Sequence, residues 1–209
     1  EATHFFGIQP DVILCNGLDT KVFPTFDDVL FKHKLLKNKV KKFLKFYFFP
    51  YYSFDLDDTL IFFLAGRYEY QNKGVDVYIE ALGKLNEELK KKKSNKTIIA
   101  FIWVPAGVKE IKPEIMENRT FYEDIEDSVQ DGIEGLKDRV IYGLLGKKPL
   151  NEEFLLGKDL VKQTEKRLAR FAKKGNPPIC THNLYNEQNE QILNAIKHHK
   201  LNNSKEDRV

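Results

Sequence analysis

Cysteine is scarce in this 209-residue chain: Cys15 and Cys180 are the only two, and neither stands at a spacing that would build a zinc site. A disulfide framework is thereby excluded, and a reduced, cytoplasmic setting is expected. A charge surplus is absent too, since 34 Lys and Arg face 31 Asp and Glu for a net +3. That balance argues against nucleic acid as a partner. No apolar run approaches the roughly 18 residues that would cross a membrane, and the opening residues carry no secretory signal pattern. No group of histidines, cysteines and carboxylates has metal-ligand spacing, so no metal is expected, and His198-His199 read as solvated. What the chain does have is bulk. It is 42% hydrophobic with 16 Phe and 9 Tyr, ample for a packed core.

The richest stretch is Leu60-Ile-Phe-Phe-Leu-Ala-Gly-Arg67-Tyr-Glu-Tyr-Gln-Asn-Lys73-Gly74. The apolar run Leu60 to Ala65, bounded by Gly66, suits a parallel strand covered on both faces. Beyond the turn, Val75, Tyr78, Ile79, Leu82, Leu85 and Leu89 recur at helical spacing. Arg67 and Lys73 flank this strand-to-helix turn. Together with N–H groups at a helix start they could hold a phosphate. Two solvated charges beside a turn fit the same letters, and spacing alone leaves both readings open.

A second buried strand is expected over Thr97-Ile-Ile-Ala-Phe-Ile-Trp-Val-Pro-Ala106, ending at Pro105. Strand, helix and strand then make a right-handed parallel crossover, with the turn at the carboxyl edge, where ligands bind in open α/β sheets. Lys90 to Lys93 suit a helix end, because cations there oppose the dipole. Residues 1 to 9 read as a helix end closed at Gly7, Asp11 to Cys15 as a short buried strand, and Asn16-Gly17 as a tight turn. Residues 27 to 49 form a basic, aromatic helix; such patches can bind single-stranded nucleic acid, but a solvated helix face is the preferred reading. Residues 113 to 174 are charged and helical. One apolar face runs through Ile125, Val129, Ile133, Leu136 and Val140, and a second helical region through Phe154, Leu155, Leu160, Val161, Leu168 and Phe171. Residues 187 to 201 carry a last amphipathic helix, with Ile192, Leu193 and Ile196 on its apolar face. His182 has no visible partner for general-base work, so bracing a loop is its expected role.

Ala65-Gly-Arg-Tyr-Glu-Tyr-Gln-Asn-Lys-Gly74, followed by Asp76 and Glu80-Ala-Leu, resembles the eukaryotic-type glycogen (starch) synthases, retaining two-domain glycosyltransferases. Glu1-Ala-x-His4, Pro10-Asp11, Asn16-Gly17-Leu18, Phe54-Asp55-Leu56-Asp57, Thr59-Leu60 and Pro177-Pro-Ile-Cys-Thr-His-Asn183 recur in that family in this order. Residues 107 to 175 match in pattern only. The resemblance implies an α/β, GT-B type fold with Rossmann-like domains and a helical-hairpin insertion. It divides the chain into 1–20, the end of the first domain and the crossover; 21–112, the first part of the nucleotide-sugar domain; 113–175, an insertion through which subunits assemble as tetramers; and 176–209, the return to that domain. It assigns Arg67 and Lys73 to the diphosphate of UDP-glucose, places Asn16 on the sugar side of the cleft, and makes glycogen, an α-1,4-glucan, the acceptor. No cofactor beyond the donor substrate is implied.

Two departures stand out. Glucose 6-phosphate-activated members carry Phe-His-Glu-Phe-Gln-x-x-His where this chain has Phe26-Asp27-Asp28-Val29-Leu30-Phe31-Lys32-His33. Only His33 remains of that allosteric set, and carboxylates repel a phosphate. The family's catalytic pair, two Glu separated by seven residues in a Glu-Pro-x-Gly context, is also absent. Glu80/Glu88 and Glu126/Glu134 have the bare spacing without Pro or Gly and are rejected. The expectation is an internal piece of an enzyme, inactive alone, with no catalytic residue of its own. The alternatives are another retaining two-domain transferase and a non-catalytic oligomerisation or interaction module.

Overall fold

The computed structural model describes residues 2–12, 14, 17–23, 26–151, 154, 155 and 157–209. The chain forms two units, Glu1–Val40 and Lys41–Val209.

In the first unit, helix α1 (Ala2–Phe6) stops at Gly7, whose φ of +67° suits a residue without Cβ. The Gly7 N–H donates back to the Thr3 carbonyl at 3.0 Å. A 3-10 turn, Thr20–Val22, is capped by Asp19, which accepts from the Lys21 N–H at 2.9 Å. The strand expected over 11 to 15 does not form at its described positions. Asp11, Val12 and Leu14 lie in no strand, and Val12 and Leu14 are 69% and 88% exposed. A strand needs a neighbour to take its N–H and C=O groups, and among the described residues the strands that pair all lie beyond residue 58. Helix α2 (Phe26–Phe48) fulfils the basic, aromatic helix; Leu30, Phe31 and Leu36 are exposed in its first part.

The second unit begins with the end of α2, where Leu44, Tyr47 and Phe48 are buried. Strand β1 (Thr59–Ala65), helix α3 (Val75–Lys91) and strand β2 (Thr97–Trp103) follow as the periodicity predicts. β1 and β2 pair in parallel, from Thr59 opposite Thr97 to Ala65 opposite Trp103. Val75, Ile79 and Leu82 of α3 form the core with Ile192 and Leu201. The expected burial of β1 on both faces is corrected: Leu60 is 50% exposed and Phe63 64%. An apolar run reports what a strand can bury, and among the described residues β1 has a paired neighbour, β2, on one side only. Phe63 instead stacks on Trp103, ring centroids 5.6 Å apart.

A second sheet was not anticipated. β3 (Val108–Ile111) pairs antiparallel with β4 (His182–Leu184), across the whole helical region between them. That region holds α4 (Pro113–Leu145), opened by a proline at N1 where no N–H is needed, and α5 (Lys158–Phe171). The two helices run antiparallel. Near one end Arg139 Nε donates to the Leu155 carbonyl at 2.7 Å; near the other, Tyr122 meets Phe171 and Lys173 pairs with Glu117 at 2.6 Å. On the expected apolar face Val129 and Ile133 are nearly half exposed. A 3-10 turn (Glu187–Asn189) leads into α6 (Gln191–His198), whose Ile192 and Leu193 are buried.

Candidate functional site

The site residues are set by how β1 hands the chain to α3. The Gly66 N–H donates to the Trp103 carbonyl at 3.1 Å, carrying the β1–β2 pairing one step past the strand. The turn then closes on itself: Glu69 N–H to the Arg67 carbonyl at 2.8 Å, Lys73 N–H to Glu69 at 2.9 Å, and Gly74 N–H to Gln71 at 2.9 Å. Gly74 sits just before α3 at φ +67°, ψ 26°, a left-handed conformation that a side chain disfavours.

Arg67 and Lys73 are both exposed, at the carboxyl end of the parallel pair, and among the described residues neither makes an ion pair. The helix start contributes less than the sequence suggested. Val75 and Asp76 N–H groups both point at the Tyr70 carbonyl, at 3.0 and 3.4 Å, and Asp76 brings its own carboxylate to the first turn. An anion here would therefore meet two long cations rather than a row of free backbone donors.

Tyr68 fastens the turn. Its ring packs against the core, and its hydroxyl donates to Glu190 Oε1. Glu190 Oε2 in turn accepts the Leu193 N–H at 2.7 Å as the N-cap of α6. Burial, then the hydrogen bond to Glu190 and its charge, push the Tyr68 phenol up to about 12, while the N–H groups of Ile192 and Gln191 act against that shift. Sequence reasoning missed this pair, because no local signal links residues 122 positions apart. A wide cleft of about 840 Å³ lies beside the turn, lined by Tyr70, Gln71, Asn72, Gln191, Asn194 and His199 among others; Arg67 and Lys73 do not line it.

Asn16 lies outside the described residues. His33 is exposed on α2 in the first unit. His182 Nδ1 lies 2.9 Å from Thr181 Oγ1 at the start of β4, a bracing arrangement. His199, read from sequence as solvated, is half-buried and packs over Gly83. Three of the four rejected glutamates are engaged otherwise, Glu80 with Lys84 at 2.5 Å, Glu88 with Lys91 at 3.0 Å and Glu126 with Lys42 at 2.5 Å, and Glu134 is exposed. Hydrogen bonds from Lys84 and Lys91 hold the Glu80 and Glu88 carboxyls below their usual range. A general acid needs the opposite shift. Among the described residues no cluster could hold a metal ion, and no helix is long and apolar enough to cross a membrane.

A parallel strand–helix–strand unit with two cations at its carboxyl end that are unpaired among the described residues, joined to a long helical hairpin, defines an α/β protein with an exposed cationic turn. The glycogen synthase family model matches residues 1–209. The chain is 36% identical over 219 residues to glycogen [starch] synthase isoform 1 of Saccharomyces cerevisiae, covering 100% of this chain and 31% of that protein. It is 36% identical to glycogen [starch] synthase of Dictyostelium discoideum and 31% to the liver glycogen [starch] synthase of Mus musculus, which it covers to 24% and 30%. The chain belongs to the glycogen synthase family, and it spans less than a third of the length of these relatives.

Proposed function

We propose that this chain is part of a glycogen synthase that transfers glucose from UDP-glucose to the non-reducing end of an α-1,4-glucan with retention. The bond from the anomeric carbon to the diphosphate oxygen breaks, a bond to an acceptor hydroxyl forms, and charge builds on the departing diphosphate. Fixed cations at that oxygen lower the barrier. The observation that carries the reading is the placement of Arg67 and Lys73, exposed and without ion-pair partners among the described residues, at the carboxyl end of β1. Asn16 belongs near the transferred sugar, and the donor is the only small molecule the reaction requires.

In this reading the chain contributes the crossover and the front of the nucleotide-sugar domain of a two-domain GT-B, Rossmann-like enzyme in the cytoplasm. Residues 113–175 supply the contact through which a tetramer assembles. The catalytic carboxylates lie elsewhere in the protein, so residues 1–209 alone turn nothing over. Asp27 and Asp28 weaken any glucose 6-phosphate response through His33.

Incorporation of glucose into glycogen by the full-length protein tests this, from UDP-glucose and ADP-glucose, with and without glucose 6-phosphate, beside Arg67→Ala. Transfer from UDP-glucose that collapses in the variant and ignores the effector is expected. A folded protein that transfers from neither donor would turn the assignment toward a non-catalytic interaction module.

A further inference from the structure

We propose that Tyr68 and Glu190 are a positioning pair that fixes the Arg67–Lys73 turn to the start of α6 and thereby sets the affinity for the donor diphosphate; the proposal rests on the donor-binding reading of Arg67 and Lys73.

Three observations lead there. The backbone hydrogen bonds of residues 67–74 stay within the turn and the start of α3. Among the described residues, the Tyr68 hydroxyl is what ties 66–74 by side-chain hydrogen bonding to a distant segment, donating to Glu190 and facing the N–H groups of Gln191 and Ile192 at the start of α6. Glu190 is not free to follow the turn, because its other oxygen caps α6 through the Leu193 N–H at 2.7 Å. α6 is itself held by Ile192 and Leu193, 6% and 5% exposed, with Ile192 in the core beside Val75, Ile79 and Leu82. The order of restraint therefore runs from core to α6, to the Glu190 carboxylate, to the Tyr68 hydroxyl, and to the backbone of Arg67 next to it. A guanidinium must meet its two oxygens in a narrow geometry, and a turn loosened by even 1 Å loses that fit. Neither residue touches the diphosphate in this scheme; both act through Arg67.

The test uses the full-length protein and UDP as the calorimetric probe, with KM for UDP-glucose and for glycogen measured in parallel. Tyr68→Phe keeps the ring in the core and removes only the hydroxyl. It is expected to weaken UDP binding about tenfold, the worth of one hydrogen bond to a charged acceptor, with the KM for glycogen unchanged. Glu190→Gln retains an acceptor for Leu193 and an amide that can meet the Tyr68 oxygen, so it should lie closer to wild type than Glu190→Ala. If Tyr68→Phe does not fold, the two Glu190 variants decide by the same comparison.

UDP affinity within about twofold of wild type in folded Tyr68→Phe, while Arg67→Ala abolishes binding, overturns the positioning pair and leaves the donor site standing. Parallel rises in the UDP and glycogen constants mark a merely structural role and also overturn it. Unchanged UDP binding in Arg67→Ala overturns the donor site, and this proposal with it.

Discussion

Asn86 Nδ2 donates to Asp207 Oδ1 at 3.0 Å, joining a buried face of α3 to the segment that runs alongside β2. The same Asn86 accepts the Arg208 N–H at 2.6 Å and the Val209 N–H at 3.3 Å through Oδ1. Lys90 and Ser204 complete the shell of Asp207, and the Arg208 carbonyl accepts the Ile98 N–H at 2.7 Å. Asn86 is 2% exposed, so water cannot replace what it supplies. Asn86→Ala should destabilise the chain by about 3 kcal/mol, since it takes the acceptor from the Arg208 and Val209 N–H groups and one donor from Asp207. Urea unfolding followed by circular dichroism measures this. A loss below about 0.5 kcal/mol would contradict the network.

The acid limb of stability should belong largely to Asp207. Burial pushes its carboxyl up, but hydrogen bonds from Lys90, Asn86 and Ser204 outweigh that and hold it below its ordinary value. A lowered folded-state pKa contributes stability that is present above the unfolded value of about 3.9 and is lost as pH falls through the folded one. Melting temperature should therefore drop below about pH 4. In Asp207→Asn the protein should be weaker at neutral pH and show a shallower acid decline. Parallel acid limbs in the two proteins would refute the assignment.

Gly83 is the contact point between α3 and the end of α6. A Cβ there would stand 2.8 Å from His199 Cβ, an atom next to the backbone that cannot swing aside. Gly83→Ala should destabilise by about 1–3 kcal/mol despite its better helix propensity. Adding His199→Gly should recover part of the loss, and a double-mutant cycle by thermal unfolding reads the coupling. At Gly143 a new Cβ meets the terminal Cδ2 of Leu150 at 2.4 Å, and that flexible end can move, so Gly143→Ala should be milder.

Arg67→Lys should not rescue Arg67→Ala in the full-length protein. A lysine keeps the charge but loses the planar fork that grips two phosphate oxygens. The expected kcat/KM for UDP-glucose falls at least about tenfold relative to wild type. Steady-state kinetics with the two variants side by side checks it; equal activity of Lys and Arg at this position would mean that the turn supplies charge alone.

Glu80→Gln and Glu126→Gln should leave glucose transfer unchanged. Each carboxylate is matched to a lysine, Lys84 or Lys42, and sits on a helix with no reacting group beside it. A rate loss of tenfold or more in either folded variant would return these glutamates to the list of acid candidates.

Much of the local structure follows from the letters alone. The apolar run of β1, the helical repeat of Val75, Ile79 and Leu82 in α3, and the glycine at position 74 each specify their conformation through short-range sterics and periodicity. The ordered motifs around Arg67 and Lys73 also pointed to the family that matches the whole chain. The β3–β4 pairing was not legible, because Val108 to Ile111 is short and charged and its partner lies some seventy residues on, beyond α4 and α5. The same is true of Tyr68 with Glu190 and of Asn86 with Asp207. Patterning tells which face a residue turns inward, whereas hydrogen bonds between distant segments exist only once packing has brought the donors and acceptors together. Sequence determined which residues form the cationic turn; the tertiary structure decided what holds it, since the Tyr68 hydroxyl and the buried Asn86 amide meet their partners only where the fold brings distant segments together.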